Sequence, residues 1–132
     1  MRMSISPGPN GGTETSWENF RLESGGQAGG PAPLELMLCA IGACTFEAIR
    51  AFCQAQELDH SGLSLEQEAV FSEDLGAVLQ LKQVLMLTPG FPEEARRPLL
   101  WMAENCPAKS LLRSPPVISL SLLSLAADRS SK

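Results

Sequence analysis

A chain of 132 residues with ten Lys and Arg against fifteen Asp and Glu carries a formal net charge of −5 and has a pI near 4.8. Phosphate backbones are held by clustered cations, and here only Arg96 and Arg97 are adjacent, so nucleic acid is excluded as a partner. An apolar fraction of 44% beside a charged fraction of 19% is that of a soluble globular chain, and the length predicts one domain over residues 1–132.

In chain order, RMSIS and SWENFRLES alternate apolar and polar residues, as short half-buried strands do, with the turn-forming PGPNGG between them. SGGQAGGPAP closes this region, residues 1–30, as a glycine-rich loop. It lacks the G-x-x-x-x-G-K-[ST] spacing that cradles phosphate, so no nucleotide or other cofactor is expected. Pro33 suits the first position of a helix, where its missing N–H costs nothing. From there LELMLCAIGACTFEAIRAFCQAQE predicts a helix to about Leu58. Its first half is apolar nearly all round, the mark of burial on most sides. After DHSG, two strand-like runs, Leu63 to Phe71 and Ala77 to Thr88, flank the turn SEDLG. Period two puts Leu79, Leu81, Leu85 and Leu87 on one face. Glu93 and Glu94 open a second helix, EEARRPLLWMAEN, with Pro98 in its early turns. CPAKSLLR predicts a short third helix, PPVISLSLLSL a closing strand, and ADRSSK (127–132) a frayed tail.

Strands and helices do not alternate regularly, so the class is α+β. The first helix is too apolar to rest on one small sheet with its far side in water. A second copy of the chain is the simplest cover, which predicts a homodimer. No targeting segment is visible in MRMSISPGPNGG. The apolar runs Leu36 to Phe46 and Val117 to Ala127 are shorter than the ~20 residues of a spanning helix, so no membrane partner and a cytoplasmic location are expected.

Four cysteines are then expected to be reduced unless they do redox work. On a helical wheel Cys44 lies on a stripe of small residues, Ala40, Ala48 and Ala51, with Glu47 about 60° away. Cys39 and Cys53 point to the other side and read as packing residues. Cys44 is either a packed core thiol or a reagent, and composition does not choose. Cys106 precedes Pro107 and so falls at the start of the third helix. There the free N–H groups and the dipole, with Lys109 three residues on, favour a thiolate. His60 reads as a loop residue. No Cys-x-x-Cys or His-x-x-x-His pair points to a structural metal, and no G-x-S-x-G elbow to a serine hydrolase.

GGPAPLELMLCAIGAC, followed about sixty residues later by ENCPAKSLL, resembles the OsmC/Ohr superfamily of peroxide-reducing proteins over roughly residues 20 to 122. The resemblance implies an intertwined α+β homodimer, two long central helices wrapped by antiparallel sheets, with a site at each subunit interface. It matches Cys44 to the family's reactive cysteine and Cys106 to its resolving cysteine. The implied reaction is reduction of organic hydroperoxides or hydrogen peroxide, through a sulfenic acid and a disulfide that an external dithiol resets. Three departures stand out. Thr13 stands where the hydroperoxide-resistance branch has an activating arginine. Glu35 follows the helix-starting proline one residue later than in that branch. Lys109 replaces the histidine of a C-P-x-H turn. Arg21 and Arg50, from this chain or its partner, are the candidates for the missing cation. The rival readings are a non-catalytic dimer that binds a small hydrophobic molecule in the same interfacial pocket, and a sulfur-carrying or regulatory thiol protein.

Overall fold

Residues 1–26, 29–74 and 76–126 are described by the structure, a computed structural model. Ser4–Pro7 (β1), Thr13–Trp17 (β2) and Phe20–Ser24 (β3) form an antiparallel sheet in the order β1-β2-β3. The run SWENFRLES, expected as one strand, is split. Glu18, at a φ of 49°, turns the chain, and Trp17 then pairs with Phe20 across the hairpin. Their rings stack with centroids 5.4 Å apart, an aromatic clasp on a tight turn.

The helix α1 (Pro33–Ala55) follows. Pro33 occupies its first turn, and the Glu35 carboxylate reaches back to accept the Ala32 N–H at 3.0 Å. The helix ends about three residues before the expected Leu58. Glu57 adopts the left-handed conformation (φ 55°), and Leu58 donates its N–H back to the Cys53 carbonyl. One face of α1, Ile41, Thr45, Ile49 and Cys53 at intervals of four, is buried. Much of the rest of its apolar surface is left bare: Leu34, Met37, Ala40 and Ala43 are all exposed. By length and composition α1 as a whole would suffice to cross a membrane, although its longest apolar run alone would not. Its packing against α2, α3 and β4 is that of a core helix with one covered side.

Ser64–Phe71 (β4) and Val78–Met86 (β5) form a long antiparallel hairpin. Its inward face carries Leu65, Gln67 and Ala69 opposite Leu85, Gln83 and Leu81. Leu79 was expected on that face but is exposed. A register shift between Val70 and Phe71 leaves it as the extra residue of a bulge.

The helix α2 (Glu93–Glu104) lays Leu99 and Ala103 onto α1, closing a core of Ile49, Cys53, Leu63, Phe91, Leu99 and Ala103. Leu100 and Trp101 face outward. The helix α3 (Pro107–Arg113) follows after Asn105 and Cys106.

The expected closing strand is not formed within this protomer. Residues 115–126 have no regular structure, and Val117, Leu120 and Leu122 are 97–99% exposed. A strand needs neighbouring N–H and C=O groups to pair with, and among the described residues no strand pairs with this segment. The tail expected at 127–132 lies outside the described residues.

Candidate thiol site

The corner between α2 and α3 is built by three adjacent residues. The Asn105 side-chain amide donates to the Trp101 carbonyl at 2.8 Å and finishes α2. Pro107 starts α3, and a residue before proline is driven to extended geometry, as Cys106 is at φ −66°, ψ 155°. Cys106 thereby turns its sulfur into the protein, where it is 1% exposed.

What meets it comes from α1. The Thr45 hydroxyl lies 3.7 Å from the Cys106 sulfur. Cys44, adjacent to Thr45 in sequence, accepts the Ala108 backbone N–H at 3.4 Å. Two thiols remote in sequence, both free, are thus brought to one place. Cys44 is the partly exposed member of the pair.

The electrostatics of Cys106 are a contest. Burial pushes its thiol up, but the Lys109 backbone N–H, the Thr45 hydroxyl, the Cys44 thiol and the Lys109 charge together hold it below the ordinary thiol value. The sulfur closes no full capping bond on α3, so the helix start acts here through the nearby N–H rather than a classical cap. Lys109 is itself pushed down by burial, against the raising effects of Cys106 and Glu104. Its ammonium is held by the Gln83 side-chain oxygen at 2.5 Å and the Ala103 carbonyl at 3.1 Å.

Behind Lys109 runs a half-buried polar chain. Gln83 donates its amide to Thr45 Oγ1 at 3.2 Å and to its cross-strand partner Gln67 at 2.8 Å. Gln67 donates in turn to the Leu38 carbonyl at 2.8 Å. It passes over α1 at Gly42, where an added Cβ would stand 3.0 Å from the Gln67 side-chain oxygen. Among the described residues no buried side-chain polar atom lacks a partner.

The other candidate residues lie apart from this cluster in the protomer. Arg50 forms an exposed pair with Glu47 at 2.8 Å within α1. Arg21, 79% exposed, faces Glu14 at 3.9 Å. The Glu35 carboxylate is engaged at the start of α1. The cation beside the sulfurs in this chain is Lys109. Of the two packing thiols, Cys53 is fully buried, and burial raises its pKa, whereas Cys39 is exposed because nothing covers that end of α1. Among the described residues no group of three or more His, Cys, Asp and Glu side chains is arranged to hold a metal ion.

Sequence reasoning passed over Thr45, Gln67 and Gln83. Each carried a signal: a lone polar residue on an otherwise apolar stripe, of period four in Ile41-Thr45-Ile49 and of period two in Leu81-Gln83-Leu85.

The fold and this site define a class: an α+β protein with a two-sheet, three-helix plan and a thiol pair where the long helix meets the α2–α3 corner. The family model for OsmC-like proteins matches residues 25–121, and the chain belongs to that family. No match is found among curated proteins. Solved structures share the fold. An osmotic-stress-induced and detoxification response protein of Psychrobacter arcticus 273-4 aligns over 82% of this chain and 85% of its own, with TM-score 0.68 and 15% identity. The OsmC-like protein of Mycoplasma pneumoniae aligns over 86% and 87%, with TM-score 0.68 and 13% identity. The organic hydroperoxide resistance protein OsmC of Legionella pneumophila aligns over 85% and 88%, with TM-score 0.56 and 23% identity.

Proposed function

We propose that this chain is a cytoplasmic, thiol-dependent peroxidase, with Cys44 as the peroxide-reactive sulfur and Cys106 as the resolving one. The observation that carries the reading is the convergence of Cys44, Thr45 and Cys106 beside the Lys109 ammonium, in a member of the OsmC-like family. Cys44 is the sulfur that peroxide can reach. Its thiolate attacks the O–O bond, takes one oxygen as sulfenic acid and releases the alcohol (water from hydrogen peroxide) after protonation. The Cys106 sulfur then attacks the sulfenic sulfur, water leaves, and a disulfide forms. An external dithiol supplies two electrons and two protons to restore both thiols.

The functional unit in this proposal is a homodimer. The bare apolar face of α1 and the uncovered segment 115–126 favour it, since a lone protomer would leave both in water. The test is peroxide consumption with a dithiol reductant. Cys44→Ser should abolish it, and Cys106→Ser should leave a sulfenic acid that a dimedone-type reagent captures. Unchanged turnover in both variants would remove the proposal. A second reading, a non-catalytic dimer that holds a small hydrophobic ligand, is favoured by one feature. An apolar groove of about 370 Å³ lies between the start of α1 and β5, with Leu34, Met37, Ile41, Leu81 and Leu112 on its walls.

A further inference from the structure

The thiol pair accounts for Cys44, Cys106 and Lys109, but not for the glutamine that joins Lys109 to the thiol cluster. Gln83 sits on β5, on the face turned toward α1, between Leu81 and Leu85. A carboxamide at such a position carries a desolvation cost unless all of its groups are bonded. Here its oxygen and both its amide hydrogens are engaged. Lys109 has only hydrogens to give, so the Gln83 oxygen must face it. The amide nitrogen then points the other way and donates to Gln67 and to Thr45.

That orientation constrains Thr45. Its oxygen accepts from Gln83, and its single proton is free to go to one acceptor. It goes to the Ile41 carbonyl, 2.8 Å away, while the Cys106 sulfur waits 3.7 Å off as the alternative. The bonds therefore run in one direction, from ammonium to carboxamide to hydroxyl, and end at a choice between a carbonyl and a sulfur.

We propose that Gln83 is a positioning residue for the thiol pair: it fixes the Lys109 ammonium on one side and the Thr45 hydroxyl on the other, so that thiolate formation at Cys106 turns the Thr45 proton from the Ile41 carbonyl to the sulfur. When Cys106 ionises, its proton passes to solvent base. The Thr45 proton rotates onto the anionic sulfur, and Gln83 keeps donating to the Thr45 oxygen. No other group has to move. A charge-assisted bond to sulfur replaces a neutral one to a carbonyl, and that difference favours the thiolate. This inference rests on the thiol reading of the site and names the residue through which the cation acts.

The charged and titratable groups around the cluster are few. They are Cys44 from α1, Lys109 and Arg113 from α3, and Glu104 at the end of α2. From the hairpin, Glu66, Glu68 and Lys82 lie on its exposed outer face. A change at Gln83 therefore adds or removes no charge near the sulfurs, and any effect on their titration comes through the hydrogen bonds.

The experiment is a pH titration of ultraviolet thiolate absorbance on the full chain, in a Cys39→Ser background that silences the exposed thiol. Gln83→Leu is expected to move the lowest thiolate transition upward, lowering the thiolate fraction at fixed pH about tenfold. Lys109→Met should do the same, Lys109→Arg should restore the titration, and Gln83→Leu with Lys109→Met should go no further than either alone. If Lys109→Met shifts the transition while Gln83→Leu leaves it in place, or if the two shifts add, the relay is overturned. Should Gln83→Leu fail to fold, Gln83→Met keeps the length, adds no charge and cannot donate to Thr45. It must shift the transition upward, and an unchanged titration overturns the inference equally. Peroxide consumption is measured in parallel. A Gln83-dependent titration in a protein that does not consume peroxide would sink the peroxidase reading alone. Peroxide turnover with a Gln83-independent titration would sink the relay alone.

Discussion

Oxidising the thiol pair should stabilise the fold, and by an amount the chain connectivity sets. Cys44 lies in the middle of α1 and Cys106 at the α2–α3 corner, so a bond between them would close a loop of about sixty residues. That loop holds β4, β5 and α2, which in the unfolded chain would otherwise be free to wander. Restricting it removes chain entropy worth about 4 kcal/mol at room temperature. Unfolding entropy near 2 cal/mol/K per residue gives a chain of this length a transition that moves by about 15 °C for that change. The assay is a pair of thermal melts at equal protein concentration, one after stoichiometric peroxide and one after dithiol, with Cys44→Ser as control. Peptide mapping without reduction identifies the bridge. A mapped Cys44–Cys106 bridge with a melting temperature unchanged or lowered would refute the reasoning, because the native geometry would then have to be distorted to accept it. Absence of the bridge, with both thiols oxidised separately, would refute it too.

Other perturbations read different parts of the structure. Leu99 is 1% exposed between α1 and α2, so Leu99→Ala should cost about 2–5 kcal/mol in chemical denaturation; a loss below about 1 kcal/mol would mean that α2 is not seated on α1 as described. Burial raises the Cys53 pKa above the ordinary value of 9.0, so its contribution to stability is complete below pH 9.0 and declines as pH rises toward the folded value. Cys53→Ala should flatten that alkaline decline in denaturation midpoints, and an unaltered pH dependence would contradict it. Glu35→Ala deletes the acceptor of the Ala32 N–H and should cost about 0.5–1 kcal/mol, with the loss seen first as faster amide exchange at the start of α1.

Much of the plan is legible locally. The Pro33 start of α1, the β4–β5 hairpin, the Glu93-Glu94 opening of α2 and the Cys106-Pro107 start of α3 follow from residue types whose backbone preferences act over a few positions. Where expectation and structure part, the way segments turn and pair made the difference. Trp17 and Phe20 converted one strand into a hairpin, and a bulge turned Leu79 outward. The segment at 115–126 has strand-like residues but no strand, because pairing is a property of two segments and never of one.

The same division runs through the site. Composition left Cys44 open between packing and chemistry, and it was the resemblance in motif order that paired it with Cys106, whose own place before Pro107 was legible locally. Lys109 was legible beside Cys106 from its spacing, whereas Arg21 and Arg50 have the right charge but each finds a carboxylate elsewhere, and only the packing shows Lys109 folded against β5. Gln83 and Thr45 became visible as partners only when the hairpin crossed α1, because hydrogen bonds join atoms that the backbone has already brought within about 3 Å. Local preference decides which elements exist. Only their packing decides which side chains meet, and a sulfur takes its reactivity from what it meets.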